Sequence, residues 1–516
     1  MSNYHFENST FIIKDYDRVA PFSSFLPGIA GAKGIPLWCF YTNRGQGINS
    51  FGVHDKDHAI MEFNPANTAY ENTSVKGFRT FLKINGYTWE PFSGYEGKGT
   101  RTFHIRENCF WIEDENKEAG IRIQVKYFLM PQESYGALVR RVTITNTSGK
   151  DISLEMLDGM PKIIPYGLLN SNYKAMSNLF RSWTSLHNIE NGIPVYNMAT
   201  AGEDSAEADT TISEEGIFYL SFIDGKIIPP VYDNDAVFGP DTSFVTPVYF
   251  SEHSIAEIND YPQVFANRIP GGFTPYAGTV KAGGTLQLNT LIGLTNSGAQ
   301  INALSEKITA DGYLDAKEAQ AMTLVSGYTA DVKTHSSNPL FDQYIEQCYL
   351  DNFLRGGYPF IFPQKDGSSK VVHLFSRKHG DPERDYNFFS TAGEFYSQGN
   401  GNFRDVNQNR RNDVFFHPQV GDFNIKTFFS LIQADGYNPL EIRSYTFSVL
   451  PDKESNLEAL LTKAGKEESD RTALKKLITA RFTPGQIVNG IFRKNIALTM
   501  TDDAFLQELI SLCSQN

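Results

Sequence analysis

The sequence predicts a multidomain β + α protein: a large antiparallel β-sandwich, a short helical linker, then a helical region. Three observations carry this. Apolar residues recur with period two from the start to about residue 295, punctuated by Gly, Asn, Asp and Pro. After Thr295-Asn296-Ser297-Gly298 the spacing changes to that of helices. The length of 516 residues also exceeds a single ordinary core, at about 150 residues per domain.

Within 1–295 the clearest strand is Ile121, Ile123, Val125, Tyr127, with Arg122, Gln124 and Lys126 on the other face. A second, Leu138, Arg140, Val142, Ile144, meets the turn Asn146-Thr147-Ser148-Gly149-Lys150-Asp151 and is expected to return as a hairpin through Ile152, Leu154 and Met156. Runs at 217–223 and 286–294 repeat the pattern, and so many strands predict a large antiparallel sandwich. In the linker, 296–337, stretches 303–308 and 316–326 are rich in Ala, Glu and Lys and read as two helices. From 338 to 516 helices dominate. Asn338 caps one with Pro339 at its first position, Leu340, Phe341, Tyr344, Ile345, Cys348 and Phe353 as its apolar stripe, and Gly356-Gly357 as its stop. Others are expected over 425–434, 457–463 and 472–480, from Thr483-Pro484, and over 501–511.

Composition excludes several function classes. Lys and Arg number 46 against 59 Asp and Glu, a net charge of -13 with no long basic run, which argues against nucleic acid as a partner. There is neither an apolar run of about 18 residues nor a basic-then-apolar N-terminal segment, so no membrane partner and no export are expected. Cys39, Cys109, Cys348 and Cys513 are dispersed, which suggests neither a zinc site nor a disulfide framework and fits the cytoplasm. Sequons at Asn72 and Asn146 then have no significance. His373 and His379 flank a Lys/Arg segment, but no HxxxH or HExxH spacing occurs and no metal is expected. Gly283-Gly284 and Gly399-Asn400-Gly401 lack the Walker spacing and read as turns.

The segment 376–419 carries the chemistry. It contains Gly380-Asp381-Pro382, Gly399-Asn400-Gly401-Asn402 and Arg404-Asp405-Val406-Asn407-Gln408-Asn409-Arg410-Arg411-Asn412-Asp413. It is expected as one long loop, far beyond the roughly 2 to 8 residues that usually join helices, and long ordered loops tend to be functional. Carboxylates accept from neighbouring hydroxyls while Arg and Asn donate to their oxygens, a combination suited to a pyranose ring. The alternative is a solvated loop with Arg404 to Asp405 and Arg410 to Asp413 as ordinary salt bridges. Asp381-Pro382-Glu383-Arg384 reads as a loop turn within reach of such a site.

Phe403-Arg404-Asp405-Val406-Asn407-Gln408 resembles the aromatic-Arg-Asp-Ser-x-Gln signature of cellobiose and cellodextrin phosphorylases, which are inverting enzymes. With Gly401-Asn402 before it and Asn409-Arg410-Arg411-Asn412-Asp413 after it, the segment is closer to their larger relatives acting on β-1,3-linked oligoglucans. Asn43-Arg44-Gly45-Gln46-Gly47-Ile48-Asn49-Ser50-Phe51-Gly52, followed by Glu62-Phe63-Asn64-Pro65-Ala66, resembles the opening of the same families. So does Val139-Arg140-Arg141-Val142-Thr143-Ile144-Thr145-Asn146-Thr147-Ser148.

The resemblance implies a β-supersandwich at 1–295, a helical linker at 296–337 and the first part of an (α/α)6 barrel at 338–516. Twelve helices of about 12 residues with connections of about 5 need roughly 200 residues, so the barrel is expected to be incomplete. The implied reaction is reversible phosphorolysis of β-glucosides or β-glucan oligosaccharides to glucose 1-phosphate, with inorganic phosphate as co-substrate and no cofactor. Arg404 and Asp405 would hold the non-reducing glucosyl unit, flanked by Asn407, Gln408, Arg410, Arg411 and Asp413; Val406 stands where smaller relatives often have Ser. The single catalytic acid, an Asp, is expected beyond Asn516, and the family's phosphate site has no counterpart in this sequence. Asp502 and Asp503 read as acids at a helix start. A second polypeptide completing the barrel and a homodimer are the implied protein partners. A non-catalytic carbohydrate-binding or scaffold protein and a hydrolase on the same helical plan stay as alternatives, and linkage stays open.

Overall fold

Alternating burial organises the first 295 residues of the computed structural model, which describes residues 3–94, 101–176, 179–199, 214–378, 388–478 and 480–516. Strand Ile121–Leu129 buries Ile121, Ile123, Val125 and Tyr127 and turns Arg122, Gln124 and Lys126 outward, as its pattern predicts. It lies inside an 11-stranded antiparallel sheet. The order is Tyr4–Glu7, Thr10–Lys14, Thr102–Ile105, Cys109–Asn116, Ile121–Leu129, Gly136–Asn146, Thr285–Thr295, Gly216–Ile223, Val195–Met198, Thr184–His187, with Lys226–Ile227 as a side branch. Two four-stranded sheets accompany it: Gly272–Val280, Ile152–Met160, Arg79–Ile84, Tyr87–Trp89, and Ser23–Leu26, Trp38–Thr42, Ile48–Gly52, Ala59–Met61. One apolar core joins the inward faces of all three, including Val125, Leu138, Val142, Leu82, Leu154, Met156, Cys39 and Phe51.

The expected hairpin across residues 146–151 is not one. Gly136–Asn146 pairs with Ile121–Leu129 and Thr285–Thr295, whereas Ile152–Met160 pairs with Gly272–Val280 and Arg79–Ile84. The turn therefore carries the chain from one layer to the other. Both strands turn apolar residues to the shared core, which an arch between layers satisfies as well as a hairpin does. The Asn146 side chain holds the arch by donating to the carbonyls of Lys150 and Val280 at 2.6 and 2.9 Å.

Arg140, expected in the apolar alternation, sits in that core and is 1 % exposed. Its Nε and Nη2 donate to the two oxygens of Asp158 at 3.0 and 2.7 Å. Nη2 also donates to Gln46 at 2.5 Å, and Nη1 to the Tyr127 hydroxyl. Thr80 donates to Asp158 at 2.6 Å. Gln46 and Arg140 come from two of the segments that carry the family resemblance, so part of that resemblance is a requirement of the sandwich interior. Asn43, in the same segment, donates to the carbonyls of Tyr16 and Ala20 and accepts from the Phe22 amide, fastening an N-terminal loop.

The linker helices form as Gly298–Thr309 and Tyr313–Tyr328. The capped helix runs Pro339–Gly356, with the Asn338 side chain accepting from the Leu340 and Phe341 amides. Of its expected stripe only Phe353 is buried, beside Leu350 and Leu354; Leu340, Phe341, Tyr344 and Cys348 are exposed. The expected helices further on appear as Phe423–Ser430, Glu454–Ala464, Glu468–Leu477, Pro484–Arg493 and Asp502–Ser511. The last four pack on one another and share a core with Phe353, Leu354 and the hairpin Tyr358–Pro363/Ser369–Leu374. Among the described residues of this region, the exposed large apolar side chains carried by helices lie on the earlier ones, apart from Phe492. Among the described residues no helix is long and apolar enough to cross a membrane.

Candidate functional site

The segment expected as a long loop contains a helix, Phe403–Arg410. Asp, Asn and Gln dominate it, and the first two rank low in helix propensity, so only Phe403, Val406 and Arg410, spaced i, i+3, i+7, mark its inner side. Phe403 and Val406 pack with Phe428 and Ile442. Gly401 makes room for this contact, since a Cβ there would lie 2.3 Å from Val406 Cγ2.

A two-residue ribbon supports the helix: Gly401 pairs with Ile442 and Asn402 with Glu441. Opposed residues share a face and neighbours alternate. Gly401 and Ile442 accordingly face Val406, while Asn402 and Glu441 face the other way, with Asn400 and Arg443 in step. Arg404 Nε and Nη2 both stand 3.0 Å from Asp405 Oδ1, and Asn402 donates to Asp405 Oδ2 at 3.3 Å. Asn400 Nδ2 donates to Glu441 Oε1 at 2.9 Å, Lys378 reaches Oε2 at 3.4 Å, and Arg443 stands 3.6 Å from Oε1. Asn400 is itself buried, accepting from the Ser390 amide and donating to the Phe388 carbonyl. Arg404 and Arg443 are 86 % and 85 % exposed at the side chain, against 21 % for Asp405 and 29 % for Glu441. The result is a face with two seated carboxylates, each with an exposed guanidinium paired to it. Burial disfavours ionisation of Asp405, but bonds from Arg404 and Asn402, with the charges of Arg404 and Arg355, outweigh it and hold its pKa below the ordinary value. Its oxygens are acceptors at neutral pH.

The other predicted site residues separate. Asn407, Gln408 and Arg411 are exposed. Arg410 is buried beneath the helix, donating to the Gly356 carbonyl at 2.6 Å and to the Tyr445 hydroxyl at 3.3 Å. The considered salt bridge from Arg410 to Asp413 does not form: Asp413 accepts from Asn424 at 2.8 Å and stands 2.8 Å from His373 Nε2. Burial, reinforced by the charge of Arg410, lowers the His373 pKa to about 4 against the pull of Asp413. The imidazole is neutral at pH 7 and donates Nε2–H to the carboxylate. His379, Gly380-Asp381-Pro382 and Asp381-Pro382-Glu383-Arg384 lie outside the described residues.

The sandwich fixes the stretch leading into the site. Phe389 packs on Trp38, Phe40 and Phe63, with ring centroids 5.3 to 5.6 Å apart. The Thr391 amide donates to the His54 carbonyl and the Tyr396 amide to the Ala32 carbonyl. Asp502 and Asp503 begin a helix capped by Thr501, and both meet Lys33, at 2.9 and 3.0 Å. Although burial opposes it, bonds from Tyr396 and Lys33 lower the Asp503 pKa, so it is an ionised tie between layers. Glu394 behaves oppositely: burial raises its pKa to about 7 despite the bond from the Thr483 hydroxyl and the charge of Arg493. Glu441, Arg443 and Lys378 were not singled out from sequence. The alternation Glu441-Ile442-Arg443 hints at a strand, but its partner lies 40 positions earlier, and only the fold joins them. Cavities of about 790, 660 and 720 Å³ lie elsewhere, each bordered by sandwich residues.

No protein-family model matches the chain, and no curated protein matches it. Solved structures show distant likenesses. A bacterial glucoamylase complexed with acarbose aligns with 91 % of this chain and 58 % of its own, at 10 % identity and a TM-score of 0.36. A protein from the human microbiome assigned as a kojibiose phosphorylase aligns with 70 % of this chain and 36 % of its own, at 8 % identity and a TM-score of 0.23. The family GH92 alpha-mannosidase of Bacteroides thetaiotaomicron aligns with 90 % and 54 %, at 10 % identity and a TM-score of 0.25. The chain thus spans less than two thirds of each. All three TM-scores lie below 0.5, so none assigns it a fold or an activity.

Proposed function

We propose that this chain holds the non-reducing glucosyl unit of a β-glucan oligosaccharide or disaccharide at Arg404 and Asp405, as the donor-site part of an inverting glycoside phosphorylase. The observation that carries this is the ionised Asp405, seated by Asn402 and Arg404 on an open face. Its oxygens accept from two sugar hydroxyls, and Arg404 donates to the oxygens of the same pair. Asn407, Gln408 and Arg411 border the ligand from the outer side of the helix. Arg410 and Asp413 act from beneath, fixing the helix against Gly356 and His373.

In phosphorolysis an oxygen of inorganic phosphate attacks the anomeric carbon as the glycosidic C–O bond breaks, and a carboxylic acid protonates the departing oxygen. Asp405 has no proton to give at neutral pH. The proposal leaves protonation to a residue supplied by further protein, either more of the same polypeptide or a second one. Exposed Leu340, Phe341, Tyr344, Phe415, Ile425 and Phe429 are where such protein would pack. The lowered pKa of Asp405 also favours a second reading, non-catalytic sugar binding on the same face.

The test is to incubate the chain with laminaribiose or cellobiose and phosphate, assay glucose 1-phosphate and free glucose, and titrate each sugar calorimetrically. Glucose 1-phosphate supports phosphorolysis, and glucose alone indicates a hydrolase. Binding without turnover supports the donor-site or scaffold role. Absence of binding overturns the proposal.

A further inference from the structure

We infer that Glu441, with Arg443 beside it, is a second ligand-holding wall of this site, contacting hydroxyls of the glucan alongside Arg404 and Asp405. The inference rests on the proposed sugar site and extends it to residues that no motif marks.

The geometry is that of the ribbon. Because Asn402 and Glu441 are direct antiparallel partners, their side chains project from one face within about 5.5 Å at Cβ. Asn402 seats Asp405 and Asn400 seats Glu441, so two adjacent amides of one strand each hold a carboxylate on the same face. The ribbon thus brings Glu441 beside the residue that seats Asp405, with an exposed guanidinium next to each carboxylate.

The contacts also leave Glu441 with capacity to spare. Among the described residues, Oε1 accepts from Asn400 at 2.9 Å and stands 3.6 Å from Arg443, whereas Oε2 is reached by Lys378 at 3.4 Å. A carboxylate offers about four acceptor sites. Buried Arg–carboxylate pairs in the sandwich use both oxygens on short bonds, whereas Glu441, 29 % exposed at the side chain, has one such bond among the described residues, from Asn400. A purely structural role would be to brace a ribbon too short to stand alone, and the bond from Asn400 already does this with one oxygen. Glu441→Gln preserves that acceptor while replacing the other oxygen by a donor, which separates the two roles.

The experiment titrates laminaritriose into the full chain and into Glu441→Gln, Arg443→Ala and Asp405→Asn, and follows the thermal unfolding of each. A Glu441→Gln protein with an unchanged melting temperature and at least 10-fold weaker binding, and an Arg443→Ala protein with about 3-fold weaker binding, are expected. Undiminished binding in a folded Glu441→Gln protein, together with weakened binding in Asp405→Asn, overturns the second wall and leaves the sugar site standing. Absence of binding to the unsubstituted chain overturns both. Should Glu441→Gln fail to fold, the exposed Arg443→Ala decides: weaker binding supports the wall, unchanged binding overturns it.

Discussion

Two arginine–carboxylate clusters in this molecule use the same residue types for opposite ends. In the sandwich, Arg140 clasps both oxygens of Asp158, and Gln46, Thr80 and Tyr127 take up what remains, at 1 % and 0 % side-chain exposure. Near the ribbon, Arg404 touches a single oxygen of Asp405 and is 86 % exposed. In the first every donor and acceptor is answered within the protein, as a buried charge requires. In the second the protein answers half of them and leaves the rest facing water. A closed cluster can only hold a fold; an open one can also hold a ligand.

That contrast can be broken by substitution. Asp158→Ala leaves Arg140 buried without its counter-charge and should destabilise the sandwich by about 3–5 kcal/mol, measured by denaturant unfolding with core tryptophan fluorescence. A loss below about 1 kcal/mol would make the buried cluster no different energetically from a surface pair.

The layer beneath the signature helix gives a pH test. His373 is held neutral when folded, with its pKa lowered to about 4, while the unfolded imidazole titrates near the ordinary 6.5. The unfolded state thus binds more protons between these values, so stability is complete above about pH 6.5 and falls as pH drops toward 4. The loss should be on the order of 3 kcal/mol. His373→Gln should flatten this part of the stability-versus-pH curve, and an unaltered slope would remove His373 as its source.

Arg404→Ala sharpens the comparison from the other side. Stability should stay within about 0.5 kcal/mol, while laminaritriose binding weakens about 10-fold, or about 1.4 kcal/mol. Calorimetric titration and thermal unfolding of the same preparation check both halves. A second pH effect concerns Glu394, whose carboxyl titrates near pH 7 in the fold against about 4.3 unfolded. The folded state binds more protons in that window, so its contribution to stability is present below about 4.3 and is lost as pH rises through 7. Glu394→Gln keeps an acceptor for Thr483 and should raise stability at pH 8 by about 3 kcal/mol, with no gain at pH 4.

Most helices were legible in the sequence because their caps are local chemistry. Asn338-Pro339 and Thr483-Pro484 each announce a start that the fold realises, since the capping bond spans only two or three residues. The signature helix was not legible: its sequence is polar nearly all round, and its stability comes from Phe428 and Ile442, which lie far along the chain. Nor was the arch at 146–151, because alternation tells which face of a strand is apolar but not which strand lies beside it.

By itself, then, the sequence determined the order of strand-rich and helix-rich regions and several helix starts, and it singled out Arg404 and Asp405 as candidates. All of these rest on periodicity, short-range bonding or residue type. Only the tertiary structure decided that Arg140 and Gln46 meet in a closed core, that Arg410 and Asp413 turn inward, and that Glu441 pairs with Asn402 across the ribbon. Those outcomes depend on which groups water can reach, and water is excluded by residues distant in the chain.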